Sequence, residues 1–296
     1  QKTAYEIYQC DWSSDVCSSD LAWIARGRRG GASVPAVAFG GGLAIALGLA
    51  AVVSLAGMAL WSVADEWRFP DAIPTALTSQ VWGRQLAQVS RPTLATLWIG
   101  LGAMLIAVAL ALACLEHEQR ARLRPGANAL WLLYLPLLVP QIAFWFGAQV
   151  ALVRIGLDGT VAAVVWGHLI YVLPYVFLSL ADPYRALDPR YARSAASLGA
   201  SATRTFFTVK LPMLLKPLAI AGAVGFAVSV GQYLPTLFAG AGRIATLTTE
   251  AVTLSAGADR RVLGVYAVLQ AAMPALLYAA ALLVPAFVYR HRRGLA

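Results

Sequence analysis

Six stretches of this chain are long, apolar and free of charge through their middles, and no other feature constrains the fold as much. They run Val34 to Val63, Thr93 to Leu115, Ala129 to Val153, Thr160 to Leu180, Leu218 to Phe238 and Val262 to Tyr289. About 20 apolar residues cross the hydrocarbon core of a bilayer as a helix, and a backbone there must satisfy its own hydrogen bonds. The expected fold class is all-α: a polytopic membrane protein with about six transmembrane helices. Composition agrees, since 59% of the 296 residues are hydrophobic and 12% are charged, against roughly 45–50% and 25% in a soluble domain. A net charge of +9 in a soluble chain would raise nucleic acid as a partner; here it fits membrane lipid, and no nucleic-acid partner is expected. High apolar content, three Cys and 25 Gly without a strict period exclude disorder, a disulfide scaffold and a collagen-like repeat.

Residues 1–21 differ from the rest. They are rich in Ser and Asp, hold Cys10 and Cys17, and lack the basic start and apolar core of a signal peptide. The run DWSSDVCSSDL resembles translated sequencing-adapter sequence, so this segment reads as non-native or as a disordered tail, and residues 22–296 as the membrane domain. On the adapter reading the chain is a fragment of a longer protein. Lys and Arg concentrate on the cytoplasmic side of membrane proteins. With the amino-terminal end of 22–296 inside, fifteen basic residues fall in inside segments, among them Arg26, Arg28, Arg29, Arg120, Arg122, Arg124, Arg290, Arg292 and Arg293. Seven fall outside: Arg68, Arg84, Arg91, Arg154, Arg243, Arg260 and Arg261. Both termini of 22–296 are therefore expected in the cytoplasm of a bacterium, with the spans in its inner membrane.

The loop 182–217 is too polar to span yet patterned like structure, and it carries Arg185, Arg190, Arg193, Arg204, Lys210 and Lys216. Asp188 before Pro189 predicts a helix start, with Ala192, Ala195, Ala196 and Leu198 as a small apolar face. Gly199 interrupts it, and Ser201 offers a fresh cap for a second helix bearing Phe206, Phe207, Val209 and Leu211. The expectation is a helix-turn-helix at the cytoplasmic membrane surface.

The stretch RYARSAASLGASATRTFFTVKLPMLLKP resembles the cytoplasmic signature loop of binding-protein-dependent (type I) ABC importer permeases: Glu-Ala-Ala, three residues, Gly, nine residues, Ile or Val, any residue, Leu-Pro. Gly199, Val209, Leu211 and Pro212 fall in register. Arg193 stands at the Glu position, Ser194 at the first Ala and Ala195 at the second, so the family's carboxylate is missing. The resemblance implies a type I ABC permease fold, a coupling helix after Asp188 seated in a groove of a separate ATPase subunit that binds ATP and Mg, a second permease domain fused or homodimeric, and an extracytoplasmic solute-binding protein. It implies a coupling set of Asp188, Arg190, Arg193, Ser194, Ala195, Leu198, Gly199, Val209, Leu211 and Pro212. The outer loop looks most like thiamine-type permeases, with ferric iron and polyamine permeases as relatives, and within it Glu250, Arg260 and Arg261 are candidates for binding-protein docking.

Polar side chains inside spans are default functional candidates. Gln141, Trp145 and Gln149 share a stripe on the third span, His168, Tyr171 and Tyr175 on the fourth, and Ser229, Gln232 and Tyr233 cluster on the fifth. Two readings stand: these residues line a translocation path, or they bond helix to helix and anchor at the interface. Pro136, Pro140, Pro174, Pro235, Pro274 and Pro285 are expected to bend their helices. No catalytic residue, metal ligand set or cofactor of the chain's own is expected, because no phosphate-binding Gly loop with Lys, paired His or activated nucleophile is found. The alternative function is an ion-coupled secondary transporter, which calls for internal repeats and an intramembrane charge; neither is evident.

Overall fold

The structure is a computed structural model that describes residues 34–67, 71–123, 126–257 and 259–290. Segment 1–21, both termini, and Arg26, Arg28, Arg29, Arg68, Arg124, Arg292 and Arg293 lie outside the described residues. The chain divides into two compact units, 1–54 and 55–296, and helix α1 (Val34–Val63) contributes to both. The described part of the first unit is uncharged helix. Everything below concerns the second.

Among the described residues, regular structure is helical, with one isolated bridge between Ala64 and Leu77. The elements after α1 are α2 (Gln80–Ala121), α3 (Ala127–Leu138), α4 (Gln141–Arg154), α5 (Val161–Arg185), α6 (Pro189–Ser197), α7 (Ala202–Thr205), a π turn (Phe206–Lys210), α8 (Leu211–Met213), α9 (Leu215–Val230), α10 (Leu234–Ala239), α11 (Leu247–Ser255) and α12 (Arg260–Tyr289). Among the described residues four helices, α1, α2, α5 and α12, are each long and apolar enough to cross a membrane, and the number is up to six if each of two bent pairs, α3 with α4 and 202–213 with α9, is one span.

The bends have chemical causes. The third expected span is two helices, α3 and α4, that meet at 96°. Pro140 is the cap residue before α4 and forces the residue preceding it out of helical geometry, so Val139 is extended (φ −77°, ψ 133°). The fifth expected span does not reach Phe238: α9 ends at Val230, and Gln232 and Tyr233 lie in the break before α10. Pro235 explains this, since in a continuous helix its ring would meet the carbonyl four residues back. At the other end of α9 the chain turns by 75° at Leu214. Pro136, Pro174, Pro274 and Pro285, by contrast, sit inside helices that continue past them. The second span is longer than its apolar core: α2 has 42 residues, about 60 Å at the helical rise, and carries its last turns beyond Leu115.

The bundle closes on small residues. Ala103, Ala107 and Ala111 recur on one stripe of α2, fully buried in a cluster with Val172, Val176 and Leu180 of α5 and Ala221 of α9. A Cβ at Gly225 would lie 2.6 Å from a Val176 methyl, and one at Gly100 would lie 2.8 Å from the Phe226 ring. At Gly264 on α12 it would meet the Met58 carbonyl oxygen at 2.7 Å and the Ser62 nitrogen at 2.8 Å. Lipid tails compete for apolar surface as well as Leu does, so helices in a bilayer associate through such close approach. Gly264→Ala should therefore push α12 off the end of α1 and cost about 1–3 kcal/mol, read as a lower thermal midpoint in detergent. Gly83→Ala, where nothing lies within 4 Å, should be near neutral. Equal shifts in the two variants would refute the close-packing account.

Candidate functional site

The loop between α5 and α9 folds as local rules dictate. Asp188 caps α6 by accepting a hydrogen bond from the Arg190 amide at 2.8 Å. Gly199 ends the motif in the left-handed region at φ +81°. Its amide donates to the Ala196 carbonyl at 2.9 Å, and the Ala200 amide donates to the Ala195 carbonyl at 3.0 Å, the paired bonds of a Schellman cap. A Cβ at Gly199 would meet nothing within 4 Å, so glycine is required here by backbone angle and not by crowding. Ser201 starts the second helical segment by accepting from the Arg204 amide at 3.3 Å.

No residue of α6 is buried. Arg190, Arg193 and Ser194 are exposed, Ala195 is half-buried, and Leu198 is 88% exposed. Val209 and Leu211 are half-buried, and Pro212 is exposed. The helix is a free polar and apolar knob on a loop whose exit is firmly held.

That hold is a charged cluster at the inner end of α2. Lys210 Nζ donates to Glu116 Oε2 at 2.6 Å and to Gln119 Oε1 at 2.5 Å. Arg120 Nε donates to Glu116 Oε1 at 2.6 Å, and the Tyr184 hydroxyl of α5 donates to Glu116 Oε2. The Glu116 and Lys210 side chains are 10% and 12% exposed. A second tie binds the same segment to α12, where the Tyr289 hydroxyl donates to the Pro212 carbonyl. Leu214, at the turn into α9, is buried in the main apolar cluster. Sequence reasoning missed Glu116 because it follows directly on the apolar run. The one available signal was its spacing four residues before Arg120.

Farther into the bundle, His168 of α5 uses both ring nitrogens. Nδ1 bonds Ser229 Oγ at 2.6 Å and Nε2 bonds Thr236 Oγ1 at 2.8 Å, all three residues being buried. A neutral imidazole donates from one nitrogen and accepts at the other, and the hydroxyls rotate to suit. This clamp joins α5 to α9 and α10. Thr236 was not among the sequence candidates. Trp145 and Tyr171 share one buried cluster, and a Cβ at Gly167 would approach the Trp145 ring to 2.5 Å. Gln232 is buried, and its carbonyl accepts from Thr236 at 3.0 Å. Gln141, Gln149 and Tyr233 are half-buried, while Tyr175 is exposed.

At the opposite end from the loop, Glu250 is half-buried in the first turn of α11, where the helix dipole favours a carboxylate. Arg260 sits over the Trp61 ring at 5.6 Å. Arg261 is spent internally, bonding Asp259 at 2.9 and 3.0 Å and the Asp65 carbonyl at 2.7 Å. The side-chain hydrogen bond from Arg261 holds the Asp259 carboxyl below its ordinary pKa. Among the described residues no three His, Cys, Asp or Glu side chains lie together as a metal site would require.

Two substitutions separate these contacts by size. Glu116→Ala leaves the part-buried Lys210 without its carboxylate, though still bonded to Gln119, and should cost about 3–5 kcal/mol. His168→Phe removes two interhelical hydrogen bonds, worth about 1 kcal/mol together inside a membrane. Thermal unfolding in detergent should therefore shift much further for Glu116→Ala, and the reverse order would refute the ranking.

No family model matches the chain. It is 42% identical over 200 residues to the inner membrane ABC transporter permease protein YnjC of Escherichia coli, which is 68% of this chain and 38% of that protein. It is 32% identical over 130 residues to the molybdenum transport system permease protein ModB of Mycobacterium tuberculosis, which is 40% of this chain and 49% of that protein; the Mycobacterium bovis protein of the same name matches equally. The chain thus spans less than half the length of these relatives. Through the residues they share, and with its all-helical membrane architecture, the chain belongs to the inner-membrane permeases of ABC importers.

Proposed function

We propose that the chain is the membrane-spanning permease subunit of an ABC importer, which moves a small solute inward while a separate subunit hydrolyses ATP. The observation that carries this reading is the contrast along loop 182–217: α6 has no buried residue, yet the segment after it is fixed to α2 through Lys210 and to α12 through Pro212. An exposed knob on an anchored base transmits a push, as a coupling helix seated in an ATPase groove must. Leu198 and Tyr191, 88% and 54% exposed, supply apolar contact, and Arg190 supplies charge. ATP and Mg belong to the partner, and no step of covalent chemistry falls to this chain.

The concentration of Arg and Lys in this loop places it in the cytoplasm. A second permease domain, fused or as a second copy, completes the path, which runs past the Gln141, Gln149, Tyr175 and Tyr233 side of the helices with the His168 clamp as a fixed wall. A binding protein delivers solute near Glu250 and Arg260; Arg261 is held within the chain and positions that end. The resemblance to thiamine-type permeases makes thiamine the first solute to test, and the molybdenum permeases make a molybdenum-containing solute the second.

Gly199→Leu tests the lever. A non-glycine residue in the left-handed region costs roughly 1–2 kcal/mol, enough to reshape the junction between α6 and α7 without disturbing the spans. In proteoliposomes holding the permease, its ATPase and a loaded binding protein, insertion should be unchanged, ATP hydrolysis should persist, and uptake should fall at least tenfold. Normal uptake by that variant, or uptake driven by an ion gradient without any ATPase, would overturn the assignment.

A further inference from the structure

Two cavities meet at the inner end of α2 and differ sharply in chemistry. One, of about 550 Å³, lies between the end of α2 and the α6–α7 segment, and its wall includes Arg120, Arg122, Arg193 and Lys210 against the single carboxylate of Glu116. The other, of about 480 Å³, is walled mainly by Leu112, Phe206 and Phe207 with Ala109 and Ala113. Glu116 and Arg120 belong to both, so a basic chamber opens beside an apolar one along the side of a membrane helix.

Charge in the basic chamber is unbalanced. Glu116 is already engaged by Lys210, Arg120 and Tyr184, which leaves Arg122 and Arg193 facing the space with no carboxylate of their own on its walls. Arg122 reaches it through a left-handed backbone (φ 53°) at the end of α2, a conformation that a bulky side chain seldom adopts without a compensating contact.

We propose that these chambers together bind one anionic phospholipid of the cytoplasmic leaflet, with the phosphate headgroup between Arg122 and Arg193 and an acyl chain along Leu112, Phe206 and Phe207. The inference rests on the proposed orientation, which sets Glu116 and Phe206 at the depth where headgroup and acyl chain join. A free phosphate satisfies only the basic chamber, and so does an acidic side chain of a partner protein. An amphiphile satisfies both, and anionic lipids are drawn to basic clusters at this surface. A lipid seated there would bridge α2 to the base of α6, making the coupling loop sensitive to membrane composition.

Native mass spectrometry of the full chain, extracted from a membrane of phosphatidylglycerol and phosphatidylethanolamine, provides the test. One phosphatidylglycerol should be retained in preference to phosphatidylethanolamine. Arg122→Gln with Arg193→Gln should weaken retention by roughly thirty-fold, the effect of two cations at an anionic surface, and Arg122→Gln alone by part of that. Phe207→Ser should also weaken it, and Arg154→Gln at the opposite end should not. Retention without headgroup preference, equal loss in Arg154→Gln, displacement by millimolar inorganic phosphate, or displacement by the ATPase subunit would each overturn the proposal. Since the readout is lipid on the permease alone, its failure would leave the reading as an importer subunit standing.

Discussion

The geometry of the inner end of this protein depends on one carboxylate. Glu116 sits where α2 leaves its apolar run, too buried to be left to water, and it gathers Lys210, Arg120 and the Tyr184 hydroxyl around its two oxygens. A charge so placed is costly unless its partners are held in good geometry. Meeting that condition fixes three parts of the chain at once: the end of α2, the end of α5 and the exit of the loop. The π turn at Phe206–Lys210 belongs to the same solution. Its extra residue per turn lets Phe206 pack on the apolar cluster while Lys210 reaches Glu116.

Above that cluster the helices are held differently. The alanine stripe of α2 and the glycines at 100, 225 and 264 bring helices to contact distance, where dispersion and a few polar bonds replace the hydrophobic drive that a bilayer lacks. His168 supplies two such bonds, and Thr96 supplies another by accepting the Leu247 amide at 2.9 Å. Ionic fixing at the inner surface and close packing within the membrane are thus divided by depth, as the dielectric demands.

What the sequence revealed and what it hid follow the same division between local and distant. Asp188, Gly199 and Ser201 were legible because capping and left-handed turns are decided within a few residues, and the apolar spans were legible because hydropathy averages over a window. The breaks at Pro140 and Gln232 were only half legible: prolines mark where a helix is liable to bend, but Pro174 and Pro274 lie within helices that carry on, and tertiary packing decides between the outcomes. The Glu116–Lys210 pair joins residues 94 apart, and Thr236 meets His168 across 68, distances over which no periodicity speaks. Arg261 bonds Asp259 two residues away and the Asp65 carbonyl 196 residues away, and of these two contacts only the first lies within reach of local sequence.

Both ends of loop 182–217 are tied to the end of α2, and on the proposed coupling role this sets how a push on α6 would spread. At the entry, the Tyr184 hydroxyl reaches the buried Glu116 and Leu187 packs on the main apolar cluster, while Arg185 meets Glu118 at 2.9 Å with its side chain 43% exposed, a surface pair that contributes little. At the exit, the half-buried Lys210 and the Tyr289 bond to Pro212 bind the chain to α2 and α12, and Leu214 is set in the core. On the proposed coupling role, a force on α6 therefore meets anchored chain on both sides of the knob. Displacement of the knob would then move α5, α2, α9 and α12 as one block instead of drawing α9 out alone. Since α9 carries the buried Ser229, and the buried Gln232 follows in the break after it, such a block motion would, on the proposed coupling role, reach the depth at which a solute would have to pass.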